Sequence, residues 1–161
     1  MDRTNNIRFA ADASLGKLAK WLRLLGFDTL YVREIPNSRF MEFGERRILL
    51  TRTERIRDQN RSYPLIFIRS NHPFEQLKEV IQALGLISAD IRPFSRCIRC
   101  DFSIKTVDKE SVRDRVPDYT WETCDTFQMC AQCGRIYWPG SHTERCRETI
   151  QRLFDSEKMK I

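Results

Sequence analysis

The sequence lacks any apolar segment approaching the roughly 20 residues that a bilayer-spanning helix needs. Its amino terminus, MDRTNNIRF, also lacks the apolar segment of a signal peptide. Both absences argue against membrane and secreted proteins, so we expect a cytoplasmic protein with no membrane partner. Of the 161 residues, 41% are hydrophobic and 31% are charged, which is typical of a globular chain with one core, or with a core and a small added module.

Cysteine is absent before position 97, and all six cysteines lie in the C-terminal part of the chain. In a reducing compartment such clustering favours metal binding over disulfides. Four of them form two Cys-x-x-Cys pairs, Cys97-Ile-Arg-Cys100 and Cys130-Ala-Gln-Cys133. Four thiolates complete a tetrahedral Zn²⁺ shell and leave no position open for chemistry. We therefore expect Cys97, Cys100, Cys130 and Cys133 to bind structural zinc.

The residues around these pairs allow more than one interpretation. Gly134 follows the second pair, where the turn often needs a positive φ, and Asp101 holds the matching place after the first pair.

Cys124 is either a buried thiol or a spare ligand, and Cys146 shares a predicted helical face with apolar residues, which favours core packing. His142 lies in the first turn of that helix, which favours a surface or capping role over metal binding.

Four nearly continuous apolar runs predict strands that are buried on both faces of a parallel sheet. They are residues 7–12, 27–32, 46–52 and 64–70. Ser14 is the predicted cap of a helix that ends at Gly26, and a second helix is expected from Pro73 to Gly85. Between the second and third strands we expect at most a short helix. The alternation predicts a small α/β sandwich, followed after the linker 89–96 by a different module.

Asp12 directly follows the first apolar run, at the carboxyl end of a predicted strand. Ligands of α/β sheets gather in the crevice at these ends. One interpretation is therefore a metal-binding or catalytic carboxylate. The other is a turn or cap carboxylate that accepts backbone N–H bonds at the start of the first helix.

Positive charge is concentrated in the first part of the chain, where residues 1–93 hold 16 Lys and Arg against 11 Asp and Glu. The net charge of +6 fits an anionic partner such as RNA. Guanidinium groups suit phosphate oxygens, although solvated helix faces also look like this. The candidate RNA-binding residues are Lys17, Lys20, Arg23, Arg46, Arg47, Arg52 and Arg55.

Several ordered motifs together resemble one family, the Mut-seven C-terminal RNase-like domain. They are DASLGKLAKWLRLLGFDTLY, RRILLTR, RSNHPFEQLKEVI, RCIRCDFSI, VRDRVPDYTWET and CAQCGRIYWPGSH. The resemblance implies a small three-layer PIN-like α/β domain with a parallel sheet in residues 1–92. It also implies a zinc ribbon with a terminal helix in residues 93–161.

The resemblance further implies a metal-dependent ribonuclease, in which strand-end carboxylates hold Mg²⁺ or Mn²⁺ beside the scissile phosphate of RNA. Asp12 matches this pattern. Thr53 and Asn71 stand where the family often has acids, so Glu34, Glu54 or Asp58 would have to substitute. If a helix begins at Glu54, that residue and Asp58 lie on one face. The sequence-based catalytic set is therefore Asp12, Glu54 and Asp58.

The departures at Thr53 and Asn71 also support a second interpretation. In it, the chain is an RNA- or ribonucleoprotein-binding protein that keeps the fold and has lost the chemistry. Such a protein would bind RNA in a salt-dependent manner without needing Asp12.

Overall fold

Four short strands form a fully parallel sheet at the centre of the N-terminal part of the protein. The computed structural model describes residues 3–158, with side chains described through residue 155. The strands are β1 (Arg8–Ala11), β2 (Asp28–Tyr31), β3 (Ile48–Thr51) and β4 (Leu65–Phe67). Their order in the sheet is β2-β1-β3-β4. The predicted α/β class with a parallel sheet is therefore confirmed.

Helices connect these strands and cover both faces of the sheet. They are α1 (Gly16–Leu24), α2 (Asn37–Glu42), α3 (Glu54–Gln59) and α4 (Pro73–Leu84). On one face, Phe40 of α2 and Ile56 of α3 pack with the strand residues Ala10 and Leu49. Side chains alternate across a strand, so Phe9, which precedes Ala10 in β1, faces the other side of the sheet. On that side α1 packs against α4. In the sheet, β2 lies on one side of β1 and β3 lies on the other. Right-handed crossovers in these two directions place the connecting helices on opposite faces of the sheet.

The segment predicted as a linker is instead hydrogen-bonded to the end of α1. The Arg92 N–H donates to the Leu25 carbonyl and the Phe94 N–H donates to the Leu24 carbonyl, both at 2.9 Å. Gly26 makes this approach possible, because it has a φ of +98° and an added Cβ would lie 2.5 Å from the Arg92 carbonyl oxygen.

One compact unit of the chain ends at Asp101 and another begins at Phe102. The expected domains divide earlier, between residues 92 and 93. The division into domains at these residues stays a prediction.

Arg23, which the sequence offers as a candidate RNA-binding residue, is instead buried within the N-terminal unit. Its side chain is only 10% exposed. The guanidinium Nε donates to the Thr29 carbonyl at 2.9 Å, and Nη1 donates to the carbonyls of Ile98 and Arg99 at 3.0 Å each. Arg23 thus gives the buried Thr29 carbonyl a charged donor and joins α1 to the backbone of the Cys97–Cys100 turn. For this reason we leave it out of the proposed RNA surface.

The Arg47 side chain is also held within the sheet by hydrogen bonds. Its Nη1 donates to Asp28 Oδ1 at 2.5 Å and to the Phe9 carbonyl at 3.1 Å. Burial raises the pKa of Asp28, but the hydrogen bond and charge of Arg47 outweigh burial, so this pKa lies below its ordinary value. A guanidinium held in this way has little freedom to contact RNA.

The C-terminal unit contains a three-stranded antiparallel sheet and a long helix. Its strands are β5 (Ile104–Val107), β6 (Phe127–Cys130) and β7 (Ile136–Tyr137). The insert between β5 and β6 forms a 3₁₀ helix (Lys109–Arg115) and α5 (Asp118–Thr123), and the last helix is α6 (Ser141–Lys158). Val112, Val116 and Phe127 form a small core. None of the helices in residues 3–158 has both the length and the apolar character needed to cross a membrane.

The Arg23 contacts lead to a stability prediction. Replacing Arg23 with Met should lower the free energy of unfolding by about 3 kcal/mol, because several buried carbonyls lose a charged donor. The matched variant Lys20→Met, at an exposed position of the same helix, should change it by less than about 0.5 kcal/mol. Urea denaturation followed by circular dichroism measures both. Equal losses for the two variants would contradict the anchoring role of Arg23.

Candidate active site and cysteine cluster

Asp12 is the first residue after β1, and the sheet topology places it where ligands of parallel sheets bind. Its N–H donates to the Leu50 carbonyl of β3 at 3.1 Å, and the Ala11 carbonyl before it accepts from Val32 N–H at 3.0 Å. The chain therefore leaves β1 between β2 and β3. The helix α1, which leads to β2, and the helix α2, which precedes β3, lie on opposite faces of the sheet. This position is the topological switch point of the sheet.

The Asp12 carboxylate is buried and held by donors from several elements. Its Oδ1 accepts from the Ser14 N–H at 3.0 Å and from the Ser14 hydroxyl at 2.6 Å. Its Oδ2 accepts from the Thr51 hydroxyl at 2.5 Å and from the Arg52 N–H at 3.3 Å. Asp12 is thus the cap of a 3₁₀ helix, Ala13–Leu15, that precedes α1. Ser14 was the expected cap, and the structure gives that role to the carboxylate instead.

Asp12 borders a cleft of about 190 Å³. Polar and apolar side chains both line this cleft. The polar lining consists of Asp12, Ser14, Glu34, Asn37 and Thr53, and the apolar lining consists of Ala13, Val32, Ile35, Phe40 and Ile56. Two carboxylates therefore share this cleft, one after β1 and one after β2.

Glu34 reaches the cleft because the chain turns sharply after β2. Its φ of +50° lies in the left-handed region, which side chains other than glycine rarely adopt. The residue is exposed, and within the described part of the chain no hydrogen bond or ion pair restrains its carboxylate. Backbone strain of this kind is often found at functional sites.

Glu54 and Asp58 lie outside the lining of this cleft. A helix does begin at Glu54, so both residues lie on α3, where they are exposed to solvent. Asp58 accepts a hydrogen bond from Arg57 Nε at 2.8 Å. The structure does not bring either carboxylate to the cleft beside Asp12, and their assignment as catalytic residues stays a prediction.

The two departures from the family pattern put uncharged side chains at positions 53 and 71. Thr53 lines the cleft, with its hydroxyl 3.5 Å from Asp12 Oδ2. Asn71 follows β4, and its Oδ1 accepts a hydrogen bond from the Arg52 guanidinium. In residues 3–158, the cysteine cluster described below is the only group of three or more metal-ligating side chains close enough to share an ion.

Tyr31 is a neighbour of the site that sequence reasoning missed. Its hydroxyl donates to the Ala13 carbonyl at 2.7 Å, which ties the end of β2 to the turn that follows Asp12. Gly16 leaves space for this ring, since an added Cβ would lie 2.9 Å from the hydroxyl oxygen. The Arg33 guanidinium lies 5.1 Å from the ring centroid, a cation–π distance. A tyrosine at the end of an apolar run gives no sequence signal for such a contact.

The predicted basic residues differ in how freely they face solvent. Lys17 and Lys20 are exposed on α1, and Arg46 and Arg55 are exposed near β3 and on α3. Arg52 is half-buried. Its backbone N–H donates to Asp12 Oδ2. These five residues remain candidates for contact with an anionic partner.

Both Cys-x-x-Cys pairs form the tight turns expected of metal-binding knuckles. The Asp101 N–H donates to the Cys97 carbonyl and the Gly134 N–H donates to the Cys130 carbonyl, both at 2.9 Å. Asp101 has a φ of +66° and Gly134 has a φ of +70°, which confirms the predicted conformation at both positions. The Asp101 carboxylate stabilises its turn by accepting from Arg96 Nε and the Thr29 N–H, each at 2.9 Å.

The four thiols of these pairs lie close together. All four Sγ atoms of Cys97, Cys100, Cys130 and Cys133 lie within 4.8 Å of one another, so they can hold a metal ion such as zinc. Thiolate sulfurs suit zinc, and the set is complete without another ligand.

Cys124, Cys146 and His142 are not part of this cluster. The Cys124 thiol donates a hydrogen bond to the Pro139 carbonyl at 3.4 Å. Burial raises the pKa of the Cys146 thiol, which fits the packing role expected for that residue. His142 is exposed.

The protein is thus an α/β protein with a carboxylate at the switch point of a small parallel sheet and a four-cysteine cluster that can hold a metal ion. The comparison with known families identifies the family. The model of the Mut7-C RNAse domain matches residues 7–150, and the chain belongs to this family. No curated protein and no solved structure gave a match.

The cysteine cluster leads to a metal-content prediction. Purified protein should contain about one zinc ion per chain, and Cys130→Ser should lose it because one of four sulfur ligands is missing. Cys124→Ser is the matched control and should keep the metal. Elemental analysis by plasma mass spectrometry measures this content. Loss of zinc from Cys124→Ser, or no zinc in the wild type, would contradict the assignment of the four ligands.

Proposed function

We propose that this protein is a metal-dependent ribonuclease whose active site is the cleft beside Asp12. The observation that carries the proposal is the pair of carboxylates, Asp12 and Glu34, in one cleft at the switch point of the sheet. Membership of the Mut7-C RNAse domain family supports RNA as the substrate. The expected cytoplasmic location forms part of the same proposal.

The donor set of the cleft fits Mg²⁺ or Mn²⁺. These hard ions prefer oxygen ligands, and Mg²⁺ is often bound by one or two carboxylates together with water and substrate phosphates. Asp12 and Glu34 supply the carboxylates, and the hydroxyls of Ser14 and Thr53 add neutral oxygens. When bound, such an ion activates water and neutralises charge that develops on the phosphate.

The residues of the chain have distinct roles in this proposal. Asp12 is held rigid by Ser14 and Thr51, so its position does not depend on the ligand. Glu34 is unrestrained in the described structure and can adjust when the ion and the RNA bind. The Arg52 backbone N–H binds Asp12, and its guanidinium, which donates to Asn71, offers positive charge to a phosphate. Lys17, Lys20, Arg46 and Arg55 extend the positive surface to neighbouring phosphates.

Substitution of the two cleft carboxylates tests the catalytic proposal. Asp12→Asn and Glu34→Gln should each lower Mn²⁺-dependent cleavage of labelled single-stranded RNA by roughly 100-fold or more, because each removes a charged ligand. Circular dichroism should show that both variants remain folded.

The exposed acid Glu45, which does not line the cleft, provides the matched control Glu45→Gln, which should cleave like the wild type. Glu54→Gln and Asp58→Asn test the two other acids of the sequence-based catalytic set in the same cleavage assay. A loss of cleavage in these two variants, but not in Glu34→Gln, would move the second ligand from the β2 turn to α3. Equal cleavage by wild type and Asp12→Asn would contradict the proposed active site.

A second function is favoured by the uncharged groups at Thr53 and Asn71. Here the protein binds RNA or a ribonucleoprotein and does not cleave it. Two carboxylates hold a divalent ion less firmly than the three or four acids of PIN-like sites do, because each contributes part of the charge that offsets dehydration of the ion. The exposed basic residues would then carry the function alone.

Salt dependence tests the RNA surface that both functions share. The logarithm of RNA affinity should fall linearly with the logarithm of salt concentration, because phosphate contacts release counterions. The double variant Lys17→Ala/Lys20→Ala should reduce this slope by about 1.4, or about 0.7 per contact to a single strand. Fluorescence anisotropy at several salt concentrations measures it. Binding that does not depend on salt would contradict the RNA surface.

A further inference from the structure

The proposed cleavage chemistry uses only the polar groups of the cleft. A divalent ion and a phosphate contact charged and polar groups, yet Val32, Ile35, Phe40 and Ile56 also line the cleft and form what we call its apolar wall. Apolar side chains contribute nothing to binding an ion. They suit a ligand that also has a flat or apolar surface.

This wall is rigid and preformed. Val32, Phe40 and Ile56 are at most 9% exposed, and they pack with Ala10 and Leu49 of the central strands. Ile35 packs against the same cluster. Because the wall is part of the core of the sheet, its shape does not depend on a ligand, and binding costs little reorganisation.

Asn37 adds a polar group that no intramolecular contact explains. It is the first residue of α2 and lines the cleft. In the described part of the chain its side-chain amide has no hydrogen-bond partner. A carboxamide offers a donor and an acceptor side by side, which matches the N6 and N7 atoms of adenine.

We propose that the cleft binds one unpaired base of the RNA, with adenine preferred, between the apolar wall and the amide of Asn37. The inference rests on the proposed RNA function and names the substrate more closely. A cleft of about 190 Å³ has room for a single base beside the carboxylates. A base that is stacked and paired in a duplex cannot enter it without leaving the helix. Single-stranded RNA is therefore the substrate class, and Asn37 is a specificity-determining residue.

The test compares binding of short oligoadenylate and oligouridylate, in buffer without Mg²⁺ or Mn²⁺ so that the RNA stays intact. Wild type should bind oligoadenylate about tenfold more tightly, the discrimination expected from one bidentate amide–base pair. Asn37→Ala should bring the two affinities to within about twofold of each other. Asn37→Asp keeps the shape but loses the N–H donor and should behave similarly, which provides a second variant if Asn37→Ala folds poorly.

Asn5→Ala, at an exposed asparagine that does not line the cleft, is the matched control and should keep the adenine preference. An affinity ratio that is the same in wild type and both Asn37 variants would overturn the base site while leaving the RNA function intact. Absence of salt-dependent binding to either oligonucleotide would overturn the RNA function, and the base site with it.

Discussion

One carboxylate links the fold of this protein to its candidate site. Asp12 accepts hydrogen bonds from Ser14 in the turn after β1 and from Thr51 at the end of β3, while its N–H pairs with Leu50. These donors come from different elements, so the arrangement exists only when β1 and β3 pair in their native register. The same pairing opens the crevice at the switch point. Fold and site are therefore specified together.

Positive charge serves two separate purposes in the N-terminal unit. Arg23 and Arg47 donate to backbone carbonyls and to a carboxylate inside the unit, where they hold the first helix and the strands in place. Lys17 and Lys20 remain in solvent on the same helix as Arg23. The net positive charge therefore overstates the surface available to RNA. The long planar guanidinium explains the difference, because it reaches several carbonyls that a lysine ammonium cannot satisfy together.

Sequence reasoning succeeded where a feature depends on neighbouring residues. The apolar run before Asp12 predicts a strand end, and the two Cys-x-x-Cys pairs predict knuckles whose following residues, Asp101 and Gly134, have the expected positive φ. It failed where distant residues decide. Arg23 is buried because carbonyls about 75 residues away approach it. Glu34 reaches the cleft through a left-handed backbone that no local pattern signals, so the sequence-based set of Asp12, Glu54 and Asp58, which stays a prediction, does not include it.

We propose that Asp12 and Glu34 hold a divalent ion in the cleft at the switch point. A crystal structure of the protein soaked in Mn²⁺, with anomalous scattering used to locate the ion, would test this proposal. We expect an anomalous peak within coordination distance of both carboxylates, about 2.0–2.6 Å. A cleft without such a peak at a saturating Mn²⁺ concentration, or a peak that only Glu54 and Asp58 contact, would contradict it.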